Sequence, residues 1–360
     1  MDNTIGNNST AVAGTAIINL TSPSWSSPSS SSSSPSSLLS FFAYPGVPLY
    51  LNSPFRSPES LRPFAFTVIL VLYCLIVMGN TLLCLLILRD PRLHRPMYIL
   101  LANLSLNGLV GSSATLPRAM RDLVAPGAIT AAECLAQVYF VHVYMSLEYY
   151  ILASMSIDRY LAVCRPLRYG ALVGNARALR ACAAVHAAAA ACVSAVLCLV
   201  LRLDLCRGRV VDDLSCSHMA LAKLACNDTA VNDSAGIAVT ALTMGVGMAL
   251  VAASYARILF ECRKAARRGR KAAGTCAAHL GSLGVFALCG LAIVAMPRVE
   301  RYARVSPQVR GVVNMAVYVL PPLLNPVIYG LRTAEIRAWL AARVSLRRRR
   351  RRGREVAPAA

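Results

Sequence analysis

Seven stretches of this chain are long and apolar enough to cross a bilayer, and nothing else in the sequence limits its fold as much. A spanning helix needs about 20 mostly apolar residues. Such runs occupy residues 64–88, 97–123, 134–163, 181–201, 235–260, 272–296 and 309–331. In hydrocarbon the backbone must satisfy its own hydrogen bonds, so runs of this length predict helices. Asn80 in the first run and Glu148 near the centre of the third need partners, which implies neighbouring helices. Asn103-Leu104-Ser105 is formally a glycosylation sequon, but it lies inside the second run and reads as helix packing. Pro117 is expected to kink the second helix, and Pro297 to end the sixth. Pro321, Pro322 and Pro326 free backbone carbonyls in the seventh, which neighbours or waters must satisfy.

The chain carries a net charge of +21, yet only 15% of its residues are charged and 56% are hydrophobic. Soluble domains carry about 25% charge, so the deficit fits a chain whose main solvent is lipid. The positive charge sits in short runs beside apolar segments and in the tail, with no recognition motif for DNA or RNA, so no nucleic-acid partner is expected. Arg89, Arg92 and Arg95, then Arg165, Arg168, Arg177 and Arg180, then Arg263, Lys264, Arg267, Arg268, Arg270 and Lys271 mark alternate loops as cytoplasmic. The N-terminus is then outside and the C-terminus inside, as expected of a multi-pass plasma-membrane protein.

Three regions follow. Residues 1–60 are rich in Ser and Pro, with a serine run over 29–34, and predict a disordered extracellular tail. The start has no basic stretch followed by an apolar core, so no cleaved leader is expected. Sequons at Asn7, Asn8 and Asn19, and at Asn227 and Asn232 in the loop before the fifth run, are glycosylation candidates on the outer side. Residues 61–331 form the seven-span domain. In 332–360, Ile336, Trp339, Leu340 and Val344 share one side of a short amphipathic helix that would lie among lipid headgroups. The arginine run 347–352 then faces anionic lipid or stays solvated. Most of the thirteen cysteines lie within spans and act as small hydrophobes. Cys134, Cys206, Cys216 and Cys226 lie at or between span ends, where an oxidising exterior allows bridges. The sequence leaves three connectivities for these four.

At the end of the third run, MSIDRYLAVCRPLRY (155–169) sets Asp158, Arg159 and Tyr160 side by side where apolar sequence meets a polar loop. Ionised groups at such a place are costly unless paired, which marks a functional cluster; the plainer reading is a salt bridge that anchors the helix. This motif, with Gly79-Asn80, PMYILLANLS from Pro96, KLACNDT from Lys223, SYARIL from Ser254, KAAGTCAAHL from Lys271 and PPLLNPVIYGLR from Pro321, resembles the rhodopsin-type (class A) G-protein-coupled receptors. More narrowly it is similar to the odorant (olfactory) receptor family, over about residues 60–340.

The resemblance implies an all-α bundle of seven transmembrane helices with a short amphipathic eighth helix. It implies no enzyme and no cofactor or metal. The expected partners are a small, mostly apolar odorant, a stimulatory heterotrimeric G protein and membrane lipid. It places coupling and activation on Asp158, Arg159, Tyr160, Tyr255, His279, Asn325, Pro326 and Tyr329; a helix-end cap remains the alternative for His279. It implies pairing of Cys134 with Cys216 and of Cys206 with Cys226. Its ligand pocket transfers to His142, Met145, Ser146, Thr240, Thr243, Leu291, Val294 and Tyr318, each of which could equally be interhelical packing. Where many such receptors hold a sodium-binding Asp, this chain has Gly108; Glu148 with Asn107 and Asn80 is expected to form a neutral hydrogen-bond network instead. The aromatic expected in the sixth span is replaced by Ala287. Other rhodopsin-type receptors remain an alternative. A transporter predicts internal repeats, which are absent. A metal hydrolase needs clustered ligands, whereas the five histidines are scattered.

Overall fold

The computed structural model describes residues 48–55, 59–264, 266–300, 302–332 and 336–337, without the side chains of 264, 266–278, 297–298 and 331–332. The described residues form nine α-helices: α1 Arg62–Arg89, α2 Pro96–Val124, α3 Ala131–Cys164, α4 Pro166–Leu172, α5 Asn175–Leu201, α6 His218–Ala222, α7 Ala230–Lys264, α8 Ala266–Val299 and α9 Pro307–Arg332. Three strands complete them: β1 Leu49–Leu51, β2 Ala128–Ile129 and β3 Val210–Val211. Proline opens α2, α4 and α9, where its missing N–H has no helical partner to lose. Thr130 and Glu133 cap α3 reciprocally: the Glu133 N–H donates to Thr130 Oγ1 (3.2 Å) and the Thr130 N–H to Glu133 Oε2 (2.9 Å).

Pro297 does not end α8, which continues to Val299, and the Glu300 N–H donates to Met296 O at 3.0 Å. A proline near a helix's last turn deprives only one carbonyl, close to the frayed end. The fifth run likewise extends back to Ala230, so Asn232 sits in helix rather than loop.

Six of the long helices carry membrane-length apolar stretches, and among them Pro96–Val124 is both the most buried and the least apolar. The seventh, α3, falls short of that apolarity although its 34 residues span about 51 Å. It packs against α2, α5, α7 and α8 and so meets protein where the others meet lipid. Gln137, Ser146, Glu148, Ser156 and Asp158 are all buried on it.

The prolines of α9 explain how that helix is held. Each removes the N–H that would serve the carbonyl four residues earlier, leaving Val317 O, Tyr318 O and Pro322 O. Each of these has a donor on a different helix. Tyr144 Oη of α3 donates to Val317 O (2.8 Å), Ser112 Oγ of α2 to Tyr318 O (2.8 Å) and Asn80 Nδ2 of α1 to Pro322 O (2.8 Å). The Tyr144 ring reaches across because it lies on Gly111, where any Cβ would collide with it. Gly108 admits Pro322, which would sit 3.1 Å from a Cβ there.

At one end of the bundle β1 runs between β2 (antiparallel) and β3 (parallel). Leu49 and Leu51, 3% and 4% exposed, turn into a core with Ile129, Cys134, Val211 and Cys216. Phe55 and Pro54 lie against Gly311 near the start of α9. The stretch 48–55 is therefore folded, contrary to the expectation of a disordered tail up to residue 60, because Leu49 and Leu51 are buried in that core and Pro54 and Phe55 pack on Gly311. Residues 1–47, with Asn7, Asn8 and Asn19, lie outside the described residues, as do Trp339, Leu340, Val344 and the 347–352 run. Ile336 is buried in the cluster that holds Tyr329.

Candidate functional site

At the end opposite the sheet, α3 closes on its charged cluster. Asp158 is 3% exposed and fully engaged. Its Oδ2 accepts from Arg159 Nη2 (2.7 Å) and Nε (3.2 Å), and its Oδ1 accepts from the Tyr169 hydroxyl on α4 (2.7 Å). Burial, then the bond to Asp158, pushes the Tyr169 phenol far above its usual range, so it remains a donor. Tyr160 is half-buried beside them. The arginine is thus turned back on its own neighbour, with Tyr169 holding the carboxylate from the far side. Tyr169 closes the 155–169 motif, and nothing in its sequence position marks this contact.

One layer deeper, Tyr329 Oη and His279 Nδ1 are 3.3 Å apart, their rings at 5.4 Å. Tyr255 is buried in the same cluster, and Tyr329 is within electrostatic reach of both Tyr255 and Arg159. In the middle of the bundle Glu148, 0% exposed, accepts from Asn107 Nδ2 (2.9 Å) on one oxygen and Asn325 Nδ2 (3.1 Å) on the other. Ser282 Oγ donates to Asn325 Oδ1, which brings α8 into the chain. Asn80, expected beside Glu148, instead serves the carbonyl that Pro326 orphans, and Asn325 takes its place.

At the sheet end Cys134 is bonded to Cys216 and Cys206 to Cys226, with Cα–Cα distances of 5.4 and 5.8 Å. Gln137, one turn below Cys134, accepts the Cys216 N–H (2.8 Å) and donates to Ala114 O (2.8 Å), fixing the loop over α2 and α3. That loop lowers Asp213 onto α9: Asn314 Nδ2 donates to its Oδ1 (3.1 Å), and burial raises its pKa above the usual carboxylate value. Asn232 is 4% exposed, and its Nδ2 donates to Leu199 O (2.9 Å) and faces His218 Nε2 (3.3 Å). The amide that a glycan would need is enclosed there, which corrects the expectation for Asn232. Asn227 is exposed, though its amide donates to Arg202 O (2.7 Å).

The transferred pocket residues divide. On α3, Met145 is half-buried and Ser146 buried, while half-buried His142 turns its Nδ1 to Val138 O (2.8 Å). Buried Thr243 donates to Val239 O (2.8 Å), and Thr240 is exposed. Thr240 nevertheless stands two turns from buried Gly247 on one azimuth of α7. Tyr318 is buried with its ring 6.0 Å from that of Tyr144 and its hydroxyl on Ser215. Leu291 and Val294 do not join them. They are 57% and 38% exposed, in line with Leu280 and Leu288 on the outer face of α8, while Phe286, Cys289 and Gly290 face inward. Among the described residues, no three His, Cys, Asp or Glu gather as metal ligands.

Comparison with known proteins agrees with this architecture. The olfactory receptor family profile matches residues 69–346. Human Olfactory receptor 52K1 is 35% identical over 286 residues, covering 77% of this chain and 87% of that protein. Human Olfactory receptor 52D1 is 37% identical over 273 residues (75% and 85%), and human Olfactory receptor 2F1 is 34% identical over 283 (77% and 88%). With a multi-pass helical bundle and a profile covering most of its length, the chain belongs to the olfactory receptor family.

Proposed function

We propose that this chain is an odorant receptor of the plasma membrane. It binds a small, mostly apolar odorant among the sheet-end halves of α3, α7 and α9 and activates a stimulatory heterotrimeric G protein at the Arg159 end. The observation that carries the reading is the engagement of Asp158 by Arg159 and Tyr169, which keeps the arginine from a partner helix. His142, Met145, Ser146, Thr240, Thr243 and Tyr318 line the pocket; Leu291 and Val294 are left out because they face outward. Without those two, the named lining is Met145, four hydroxyls and one imidazole; Thr243 and His142 are already bonded to their own helices, which leaves recognition by shape and one or two hydrogen bonds. Asn325, Pro326, Tyr329, His279 and Tyr255 connect the pocket level to the arginine through α7, α8 and α9.

An agonist acts only by binding the open arrangement more tightly than the closed one. The sheet end faces outward: its two disulfides need an oxidising compartment, and Arg89, Arg92, Arg95, Arg165, Arg168, Arg177 and Arg180 crowd the opposite end. Arg159→Ala is the test, in cells carrying a stimulatory G protein and a cyclic-nucleotide reporter. Basal and evoked signals are expected to vanish at unchanged surface display. Undiminished nucleotide exchange in that variant refutes the reading.

A further inference from the structure

We infer that Tyr149 forms the floor of the odorant pocket and gives it a preference for ligands with a hydrogen-bond acceptor oxygen: aldehydes, ketones and esters. The inference rests on the receptor reading above and adds the ligand class. On α3, His142, Ser146 and Tyr149 stand at i, i+4 and i+7, so one face carries a polar ladder running inward from the sheet end. Tyr149 is 2% exposed, yet its hydroxyl has no hydrogen-bond partner among the described residues. A buried donor in that condition is costly, and a ligand oxygen that accepts from it recovers the loss.

The surroundings hold the ring and leave its tip approachable. The Phe286 ring packs edge-on at 4.7 Å, and Gly247 lets α7 close on the root of the side chain, where a Cβ would come within 3.1 Å of Tyr149 Cβ. One turn beyond Phe286 toward the sheet end, α8 has Gly290. A Cβ there would lie 2.9 Å from the Tyr149 hydroxyl and 3.6 Å from Met244 Cε. The hydroxyl is therefore aimed between a residue with no side chain and an unbranched thioether that can shift to admit a ligand. Thr243, nearby on α7, spends its hydroxyl on its own helix, so it does not compete for the ligand's oxygen.

The experiment uses full-length receptor in the reporter cells, with octanal, octanone and ethyl hexanoate as acceptor-bearing probes and octene and octane as acceptor-free ones. Wild type is expected to respond best to the carbonyl probes. Tyr149→Phe, which keeps the ring and its packing, is expected to weaken those responses about tenfold or more in EC50 while leaving the hydrocarbon responses within about twofold. Gly290→Ala, which places a methyl against the hydroxyl, is expected to show the same selective loss. Equal loss for both probe classes in Tyr149→Phe marks a packing role and overturns the inference, as does an unchanged carbonyl response. A wild type that ignores the carbonyl probes also overturns it. The receptor reading is judged separately, because a basal signal abolished by Arg159→Ala establishes coupling without any ligand.

Discussion

The three orphaned carbonyls of α9 allow a prediction that separates a specific hydrogen bond from general packing. Tyr144→Phe keeps a fully buried ring in place and removes only the donor to Val317 O. That carbonyl then has neither a helical N–H, which Pro321 lacks, nor a side-chain partner. Leaving a buried acceptor unpaired costs about 1–3 kcal/mol in soluble proteins. Hydrogen bonds between membrane helices average about 0.6 and reach about 1.7 kcal/mol. The expected loss is therefore about 1–2 kcal/mol, at roughly 2–4 °C of midpoint per kcal/mol. A thiol-reactive fluorogenic dye can follow the melt, since Cys84 and Cys289 are free and buried. The decisive arm is Pro321→Ala, which restores an N–H four residues after Val317. In that background Tyr144→Phe should cost less than about 0.5 kcal/mol, a coupling of about 0.5–1.5 kcal/mol or more against an additivity scatter of about 0.3–0.5 for independent sites. Equal costs in the two backgrounds would show that Tyr144 acts through packing alone and refute the account of α9.

Two further outcomes are expected. Tyr169→Phe removes one of the groups holding Asp158; at about 1 kcal/mol for that bond, basal cyclic-nucleotide signalling should rise about fivefold, and an unchanged baseline would show that Arg159 alone keeps the closed form. Acid should loosen the sheet end: burial holds His218 below the ordinary 6.5, His142 reinforces this and Asp233 opposes it, so the folded state binds fewer protons than the unfolded one. The stability His218 contributes is then complete above pH 6.5 and is lost as pH falls through its depressed value. Protonation would also turn an N–H of His218 against the Asn232 amide. Buried Asp213, shifted upward, works in the opposite sense, so the comparison is between wild type and His218→Asn. Heat-induced aggregation midpoints at about pH 7.5 and about pH 5.5 should converge in the variant, and an identical pH slope in both proteins argues against the histidine.

The spans were legible because hydrocarbon permits few solutions for a long apolar run, and the prolines of α9 announced carbonyls in need of donors. What one sequence could not disclose was which residues donate. Tyr144, Ser112 and Asn80 become a set only when three helices converge on α9. Sequence position groups Asn80 with Glu148, whereas in the fold Asn80 serves Pro322 O and Asn325 is the companion of Glu148. Leu291 and Val294 show the limit of transferring a pocket by position: α8 turns Ser282, Leu283, Phe286, Cys289 and Gly290 toward protein, and Leu280, Leu288 and Leu291 away from it. The two- and three-residue strands left no detectable pattern, and Leu49 and Leu51 were obscured by the serine-rich stretch before them. Tyr169 acquires its role from the short turn of helix α4, which the basic loop did not reveal.

The central position of β1 imposes an order on biogenesis. Asn52 must meet Asp212, 160 residues later in the chain. At roughly 5–20 residues per second, the ribosome delivers that partner about 8–30 s after the first strand has been made. Through that interval the strand, with its two leucines, has at most the two-residue β2 for a partner, and its β3 edge stays open to chaperones and to mispairing. Poor maturation of this receptor in a foreign cell would then trace to its earliest folded residues, and a helper that shields residues 48–55 until the later loop arrives should raise yield more than any stabilisation of the helices.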